Sequence, residues 1–251
     1  MSTPWSNLAS LGRTLLGGVT QLIYPNICWV CGNVMPVTQV HVCSSCYPSL
    51  TVDPHPTCPR CSSTVGPHLV LDDGCPDCRA ESFEFDGAFR MAPYDGLLRE
   101  VILRMKRWSG EDLAEVIGAL WAKKMAIRLR ELAPDIAIPV PLHWTRCWRR
   151  GFNSCDIFAR CLARELGIAC RPDVVRRSRA TAKQTEQSSP TARKANVKHA
   201  FQTKAGHALR GKTVLLVDDV LTTGATASEA ARALRVHMPK AIYVVVLAHG
   251  R

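Results

Sequence analysis

Apolar residues recur at helical spacing at Leu11, Leu15, Leu16, Val19, Leu22 and Ile23, which predicts an amphipathic N-terminal helix packing on the rest of the protein. Its polar face is not strongly basic, which argues against a membrane-surface helix. From Tyr24 to Arg79 this periodicity stops, and Cys, Pro and Gly dominate. It resumes after Phe83. Phe85 to Met91 reads as a strand. Leu97, Leu98, Val101, Ile102 and Met105 form one helix face, and a second helix is expected over Asp112 to Leu132. Asp135 to Pro141 reads as a strand ending in Pro-Val-Pro. Asn153 to Leu166 reads as a helix with Gly167 as its cap. Arg171 to Phe201 is polar and basic, the composition of a long loop with short ordered ends, and such loops often serve as lids. A buried strand at Val214 to Val217, a helix-like stretch at Ala225 to Val236 and a last strand at Ala241 to Leu247 follow. Strands alternating with helices imply a parallel sheet flanked by helices, an α/β fold. The expected division is an N-terminal helix over 1–23, a Cys-rich module over 24–82 and an α/β domain over 83–251.

The Cys-rich module changes the picture first. Eight of the 12 cysteines form four C-x-x-C pairs: Cys28/Cys31, Cys43/Cys46, Cys58/Cys61 and Cys75/Cys78. Each pair places two thiolates on one side of a tight turn, half of a tetrahedral zinc site. Four pairs make two structural four-cysteine zinc sites. With no secretory cleavage pattern at the N-terminus, metal binding is favoured over disulfides. Sequential assignment, Cys28, Cys31, Cys43 and Cys46 on one ion and the rest on the other, is the simplest; the even spacing leaves a crossed arrangement open. Metal binding of this kind contributes about 10–16 kcal/mol to folding. Cys147, Cys155, Cys161 and Cys170 lack ligand spacing, and Cys155 and Cys161 read as packing residues.

The richest chemistry lies in Val214 to Thr226, Val-Leu-Leu-Val-Asp-Asp-Val-Leu-Thr-Thr-Gly-Ala-Thr. Four apolar residues without alternation suit a strand buried on both faces. The polar switch at Asp218 and Asp219 marks the expected carboxyl end of that strand, where open α/β sheets bind ligands. Gly224 permits a tight turn. The first amides of the next helix favour a phosphate, and Thr222, Thr223 and Thr226 add hydroxyls. Two carboxylates would repel a phosphate, so they suit vicinal ribose hydroxyls or a ligand-borne Mg²⁺. This stretch resembles the phosphoribosyl-diphosphate (PRPP) signature of type I phosphoribosyltransferases. The resemblance implies that Asp218 and Asp219 hold the ribose hydroxyls and that Thr222 to Thr226 wrap the 5′-phosphate, with Val217, Leu221, Gly224 and Ala225 completing the cradle.

Gly206 to Thr213 fits the P-loop pattern residue for residue. A P-loop needs a helix starting at its Lys-Thr pair, and here a buried strand begins directly after Thr213. The segment is therefore a turn into the strand.

The net charge of +11 favours polyanionic partners, nucleic acid or polyphosphate ligands. No run approaches the about 18 apolar residues of a membrane span. Basic residues cluster in Pro139 to Asn153, Pro-Val-Pro-Leu-His-Trp-Thr-Arg-Cys-Trp-Arg-Arg-Gly-Phe-Asn. There Pro141 and Leu142 lie on the same sheet edge as the acidic pair, and Arg146, Arg149 and Arg150 are placed to clamp a diphosphate. Asp218, Asp219, Arg149 and Arg150 are the candidate catalytic residues. His143 reads as a plain loop histidine. Lys106 and Arg107 end a helix, where cations complement the macrodipole.

The Cys-rich start, Met-Lys-Arg-Trp at 105–108, Pro-Val-Pro-Leu followed by Arg-Arg-Gly-Phe-Asn, Thr181, Gln184, Arg193, Asn196, Phe201 and the final signature together resemble the ComF (ComFC-like) family. One departure is Ser154, where that family usually has Gln. The resemblance implies a zinc-finger module fused to a type I phosphoribosyltransferase-like domain. It further implies a cytoplasmic role at the inner face of the membrane in natural transformation, with single-stranded DNA and competence-machinery proteins such as a DNA helicase as partners. Two functions follow: a DNA-uptake protein that binds Mg-PRPP, with aromatics such as Trp144, Trp148 and Phe152 stacking on single-stranded DNA, or a metabolic phosphoribosyltransferase with no DNA role. In a transferase, the loop Arg177 to Lys198 would close over the site and exclude water.

Overall fold

A computed structural model describes residues 25–36, 38–69, 71, 74–179, 197–204 and 208–250. The expected N-terminal helix over 1–23 and most of the expected lid lie outside the described residues, as do Thr181, Gln184, Arg193 and Asn196. The chain divides into two compact units, Met1–Ser49 and Leu50–Arg251. Helix α1 is Cys46–Thr51. In the second unit follow β1 (Gly87–Pro93), α2 (Gly96–Met105), α3 (Glu111–Leu129), β2 (Ile136–Pro139), α4 (Trp144–Arg150), α5 (Ser154–Leu166) and β3 (Ala169–Cys170). After them come β4 (Val175–Arg177), β5 (Phe201–Thr203), β6 (Thr213–Leu221), α6 (Ala225–Arg235) and β7 (Ala241–His249).

Five strands form one parallel sheet in the order β1-β7-β6-β2-β3. The unbroken burial of Val214–Val217 and Val244–Ala248 follows from cover on both faces. On one face α6 packs Ala227, Ala230, Ala231 and Leu234 onto the sheet. On the other, α3 lies along α5, and the Trp121 and Phe158 rings meet at 5.8 Å. The Trp121 indole N–H donates to the Val246 carbonyl at 3.0 Å, satisfying its polar atom in the core. A Cβ on Gly118 would sit 3.0 Å from Phe158 Cδ1 and 3.3 Å from Cys161 Sγ, so this glycine sets the α3–α5 separation. Burial of each large side chain here contributes about 1.5–3 kcal/mol.

Two expectations change. β6 does not end at the polar switch but runs on to Leu221, because β7 continues the ladder with Asp218 opposite Val246, Val220 opposite Ala248 and Leu221 opposite His249. The basic segment after β2 contains a helix, α4. The short ordered ends expected of the Arg171–Phe201 stretch are β4 and the start of β5, which pair antiparallel in a separate two-stranded sheet. Elsewhere the elements lie within a few residues of expectation, and Thr213 begins a strand, which leaves no helix for a P-loop. Among the described residues no helix is long and apolar enough to cross a membrane.

From β2 the chain proceeds outward to β3, whereas from β6 it proceeds the opposite way to β7. The carboxyl ends of β2 and β6 therefore flank the topological switch point, where open α/β sheets leave a ligand crevice.

Candidate functional site

Asp218 and Asp219 lie partly buried on β6, beside that crevice. Lys106, just past the end of α2, places Nζ 2.8 Å from Asp219 Oδ2. The Asp219 backbone N–H donates to Asp218 Oδ1 at 2.8 Å, and the buried Cys155 Sγ sits 3.4 Å from the same oxygen. The two acids are thereby driven apart. Burial, then the neighbouring Asp219 charge, pushes Asp218 up to about 7. Burial acts upward on Asp219 too, but the Lys106 charge and hydrogen bond, with Arg150 farther off, hold it below the usual carboxylate range. One carboxyl is therefore a fixed anion, while the other titrates near neutrality.

The turn Thr222–Thr223–Gly224 leads from β6 into α6. Gly224 has φ of 74°, and a Cβ there would lie 2.9 Å from Phe83 Cε1, so glycine is required on both counts. Thr223 Oγ1 accepts from the Ala225 N–H at 3.4 Å. The first turn of α6 carries no acidic side chain, so its amides and the helix dipole present an uncompensated positive end. Val217 and Leu221 are buried in the core, so they can meet a ligand only through backbone. Thr222, Thr223 and Thr226 are partly exposed, and Ala225 is buried.

Across the crevice, the Val140 N–H donates to the Val217 carbonyl at 2.8 Å, which extends the β2–β6 contact into Pro-Val-Pro; Pro141 and Leu142, which follow, are partly buried. His143 is not a plain loop residue. It is buried and caps α4, its Nδ1 accepting from the Thr145 N–H at 3.4 Å and lying 2.9 Å from Thr145 Oγ1. Gly151 ends α4 with φ of 88°. Arg150 is partly buried near Asp219, and its Nη1 is a buried atom with no hydrogen-bond partner among the described residues. Arg149 is exposed, and the side chain of Arg146 lies outside the described residues. The fold thus brings Arg150, rather than Arg149, to the acidic pair. Asn153 secures the base of this arrangement: Nδ2 donates to the Val140 carbonyl at 3.3 Å and to Asp156 Oδ1 at 2.8 Å, while its oxygen accepts from the Cys155 N–H. Ser154 is buried at the start of α5.

Phe152, expected as a stacking surface, is not one, being only 7% exposed. Trp144 and Trp148 are 70% and 80% exposed. Trp108, 74% exposed, joins them, its ring 3.7 Å from where a Gly151 Cβ would lie.

The cysteine pairs group sequentially. Cys28, Cys31, Cys43 and Cys46 form one set in the first unit; Cys58, Cys61, Cys75 and Cys78 form another in the second. Within each set all sulfurs lie within 4.8 Å of one another. Measured Sγ separations are 3.8 Å for Cys31–Cys43, 3.8 Å for Cys58–Cys78 and 3.5 Å for Cys61–Cys75. A zinc tetrahedron with Zn–S arms of about 2.3 Å has edges of about 3.8 Å, so both sets fit such an ion. The two lead knuckles fold alike: the Gly32 N–H donates to the Cys28 carbonyl at 2.8 Å and the Ser62 N–H to that of Cys58 at 2.7 Å. Gly32 and Ser62 both take left-handed conformations, with φ of 77° and 59°. No disulfide joins any of the 12 cysteines.

The phosphoribosyl transferase domain family matches residues 153–251. DNA utilization protein YhgH of Shigella flexneri is 31% identical over 217 residues, 85% of this chain and 92% of that protein. Competence protein F of Haemophilus influenzae is 30% identical over 83% of this chain and 90% of its own length, and competence protein ComFC of Bacillus subtilis is 29% identical over 77% of each. A parallel sheet carrying the acidic pair and glycine turn, two four-cysteine groups ahead of it, and relatives aligned over most of both chains together establish that this chain belongs to the ComFC-like competence family with a phosphoribosyltransferase-like domain.

Proposed function

We propose that this protein binds Mg-PRPP at the β2–β6 crevice and single-stranded DNA on the adjacent tryptophan surface, as a cytoplasmic component of DNA uptake. The observation that carries the PRPP reading is the juxtaposition at one switch point of an acidic pair, an acid-free helix N-terminus and the buried Arg150 Nη1, which hydrogen-bonds no described residue. Asp219, held ionised by Lys106, accepts from one ribose hydroxyl, and Asp218 from the other. The Thr222–Thr226 turn receives the 5′-phosphate. Arg150 meets the diphosphate with Pro141 and Leu142 alongside, and its charge stabilises the leaving group in any transfer. Bound together with the diphosphate, Mg²⁺ would neutralise part of its charge. The eight knuckle cysteines would hold two structural zinc ions. A module over 24–82 ahead of a transferase-like domain over 83–251 remains our reading of the organisation.

The DNA reading rests on Trp108, Trp144 and Trp148, three exposed aromatics on a chain of net charge +11, with the exposed Arg149 next to Trp148 in sequence; DNA use and competence in the relatives' names agree with it. Asp218→Asn combined with Asp219→Asn abolishes Mg-PRPP binding by calorimetry in this reading, and unchanged affinity would defeat the site. DNA retention on filters falls steeply with salt; no retention even at low salt removes the DNA role.

A further inference from the structure

The knuckle formed by Cys58 and Cys61 rests on the sheet, and its contacts lead to the turn at Gly224. Between the two cysteines, the Pro59 carbonyl accepts from the Ala88 N–H of β1 at 3.1 Å. A Cβ on Gly87 would lie 2.9 Å from the same oxygen, so the knuckle backbone meets the strand directly. The next residue, Arg60, reaches across the cysteine group. Its Nη1 donates to the Cys78 carbonyl at 2.9 Å, and its Nη2 donates to the carbonyl of Glu81. Two bonds to fixed carbonyls hold the planar guanidinium in one orientation.

Held this way, the guanidinium lies 5.6 Å from the centre of the Phe83 ring, within range of cation–π attraction. Phe83 stacks on Phe85 with ring centres 4.6 Å apart and planes at 12°. It packs against two apolar clusters: Cys58, Cys61, Cys75 and Cys78 with Val65 on one side, and the core of the sheet and α6 on the other. Its Cε1 is the atom that a Cβ on Gly224 would meet at 2.9 Å. The following residue ties the same segment to α6. The Glu84 N–H donates to Ser228 Oγ at 3.0 Å, and the Glu84 carbonyl accepts from Arg235 Nε at 2.9 Å. The Ser228 N–H in turn donates to the Gly224 carbonyl at 2.8 Å. One continuous set of contacts thus runs from the second cysteine group through Arg60 and Phe83 to the start of α6.

Resting on the reading of residues 222–226 as the 5′-phosphate site, we propose that Arg60 and Phe83 are positioning residues for that site, through which the second four-cysteine group sets the shape of the turn. Glycine reaches the left-handed conformation of Gly224 without penalty, but it has more alternatives open to it than any other residue. Gly224 has no side chain with which to hold itself. The Phe83 ring against its Cα supplies that hold from outside and keeps the first amides of α6 converging on one point. Neither Arg60 nor Phe83 touches the phosphate. They act by ordering the turn before the ligand arrives, which lowers the ordering cost that binding must meet. With the cysteine group opened, the Cys78 carbonyl no longer fixes Arg60, Phe83 is released from one of its two clusters, and Gly224 regains its other conformations. Occupancy of the cysteine group and affinity at the turn are then linked.

The test uses the full chain purified with zinc, as wild type, Phe83→Ala, Phe83→Tyr, Arg60→Ala and Cys61→Ser. Hydrogen exchange of the amides at 222–228 and 244–248 is followed by mass spectrometry without ligand, and calorimetry measures binding of ribose 5-phosphate and of Mg-diphosphate. Exchange at 222–228 is expected to be about tenfold faster in Phe83→Ala and about threefold faster in Arg60→Ala and Cys61→Ser, with 244–248 unchanged. Phe83→Tyr keeps the ring and is expected to match wild type. Ribose 5-phosphate is expected to bind Phe83→Ala about tenfold more weakly, while Mg-diphosphate stays within about twofold, because the two probes use opposite ends of the site. A general loss of packing would instead move both segments and both probes. An unchanged turn in Phe83→Ala, in Arg60→Ala or in folded Cys61→Ser overturns the proposal, as does equal acceleration of both segments or equal weakening of both probes. Should the wild type bind neither probe while the turn responds as expected, the PRPP reading falls and the link from cysteine group to turn stands. Arg60→Ala keeps all four thiols, so it decides the outcome if Cys61→Ser fails to fold.

Discussion

Replacing Asp218 with asparagine removes a charge that the fold opposes. The carboxyl is pushed up to about 7 by burial and by the Asp219 anion beside it, whereas in the unfolded chain it returns to about 3.9. A raised acid holds its proton longer in the folded state, so its contribution to stability is complete below about pH 4 and is lost as pH rises through about 7. At about 1.4 kcal/mol per pH unit the full loss is about 4 kcal/mol. Asp218 is only partly buried, so water recovers some of that cost, and we expect about 2 kcal/mol. Asparagine imitates the protonated acid and keeps an oxygen to accept the Asp219 N–H, now 2.8 Å from Oδ1. The variant is therefore expected to be more stable than wild type by about 2 kcal/mol at pH 8 and equal to it near pH 4, while binding Mg-PRPP more weakly. Urea unfolding at pH 4, 6 and 8 without ligand measures the difference. A stability change that is the same at all three pH values, or a variant less stable at pH 8, refutes the claim that Asp218 sits in a desolvated, like-charged position.

Lys106→Met removes the cation that holds Asp219 below its usual range; because a depressed acid contributes stability above its unfolded pKa, the variant is expected to lose about 1–2 kcal/mol at pH 7, a loss that fades only as pH falls through the depressed Asp219 pKa, read from the same unfolding series extended below pH 4. Gly224→Ala meets both a left-handed backbone and the Phe83 ring at 2.9 Å, so a loss of about 1–3 kcal/mol in stability and weaker Mg-PRPP binding are expected in thermal unfolding and calorimetry. Elemental analysis of fresh protein is expected to find two zinc ions per chain, and Cys61→Ser is expected to retain one, with the Cys28 group intact. Trp148→Ala, which removes an 80% exposed ring, is expected to weaken single-stranded DNA binding by about 1–3 kcal/mol in fluorescence anisotropy, with Mg-PRPP affinity unchanged.

The interior strands are legible in the sequence because parallel strands covered on both faces need unbroken apolar runs, as in Val214–Val217. The metal groups are equally legible, because C-x-x-C spacing fixes a local turn whatever surrounds it. What is hidden depends on distant partners or on flanks. The length of β6 is set by β7, so a local switch from Val217 to Asp218 says nothing of where pairing stops. Helix α4 has no apolar stripe; it is made by the His143 cap and the left-handed Gly151, each outside the helix itself. Cys155 and Asp218 are 63 residues apart, and Lys106 meets Asp219 only once α2 is packed; no periodicity reports such contacts. Phe152 and Trp148 are both aromatic residues near one arginine cluster, and only packing separates the buried one from the exposed one.

Cys155 gives the crevice a chemical clock. Its thiol is raised well above the usual range by burial and then by Asp218 and Asp219, and only the thiolate reacts with alkylating or disulfide reagents. Buried and 3.4 Å from Asp218 Oδ1, this sulfur is expected to react only when a local opening exposes it, so its labelling rate reports such openings. Anything that suppresses them slows the count, and occupancy of the site becomes readable as a half-life, with no need for the ligand to be turned over.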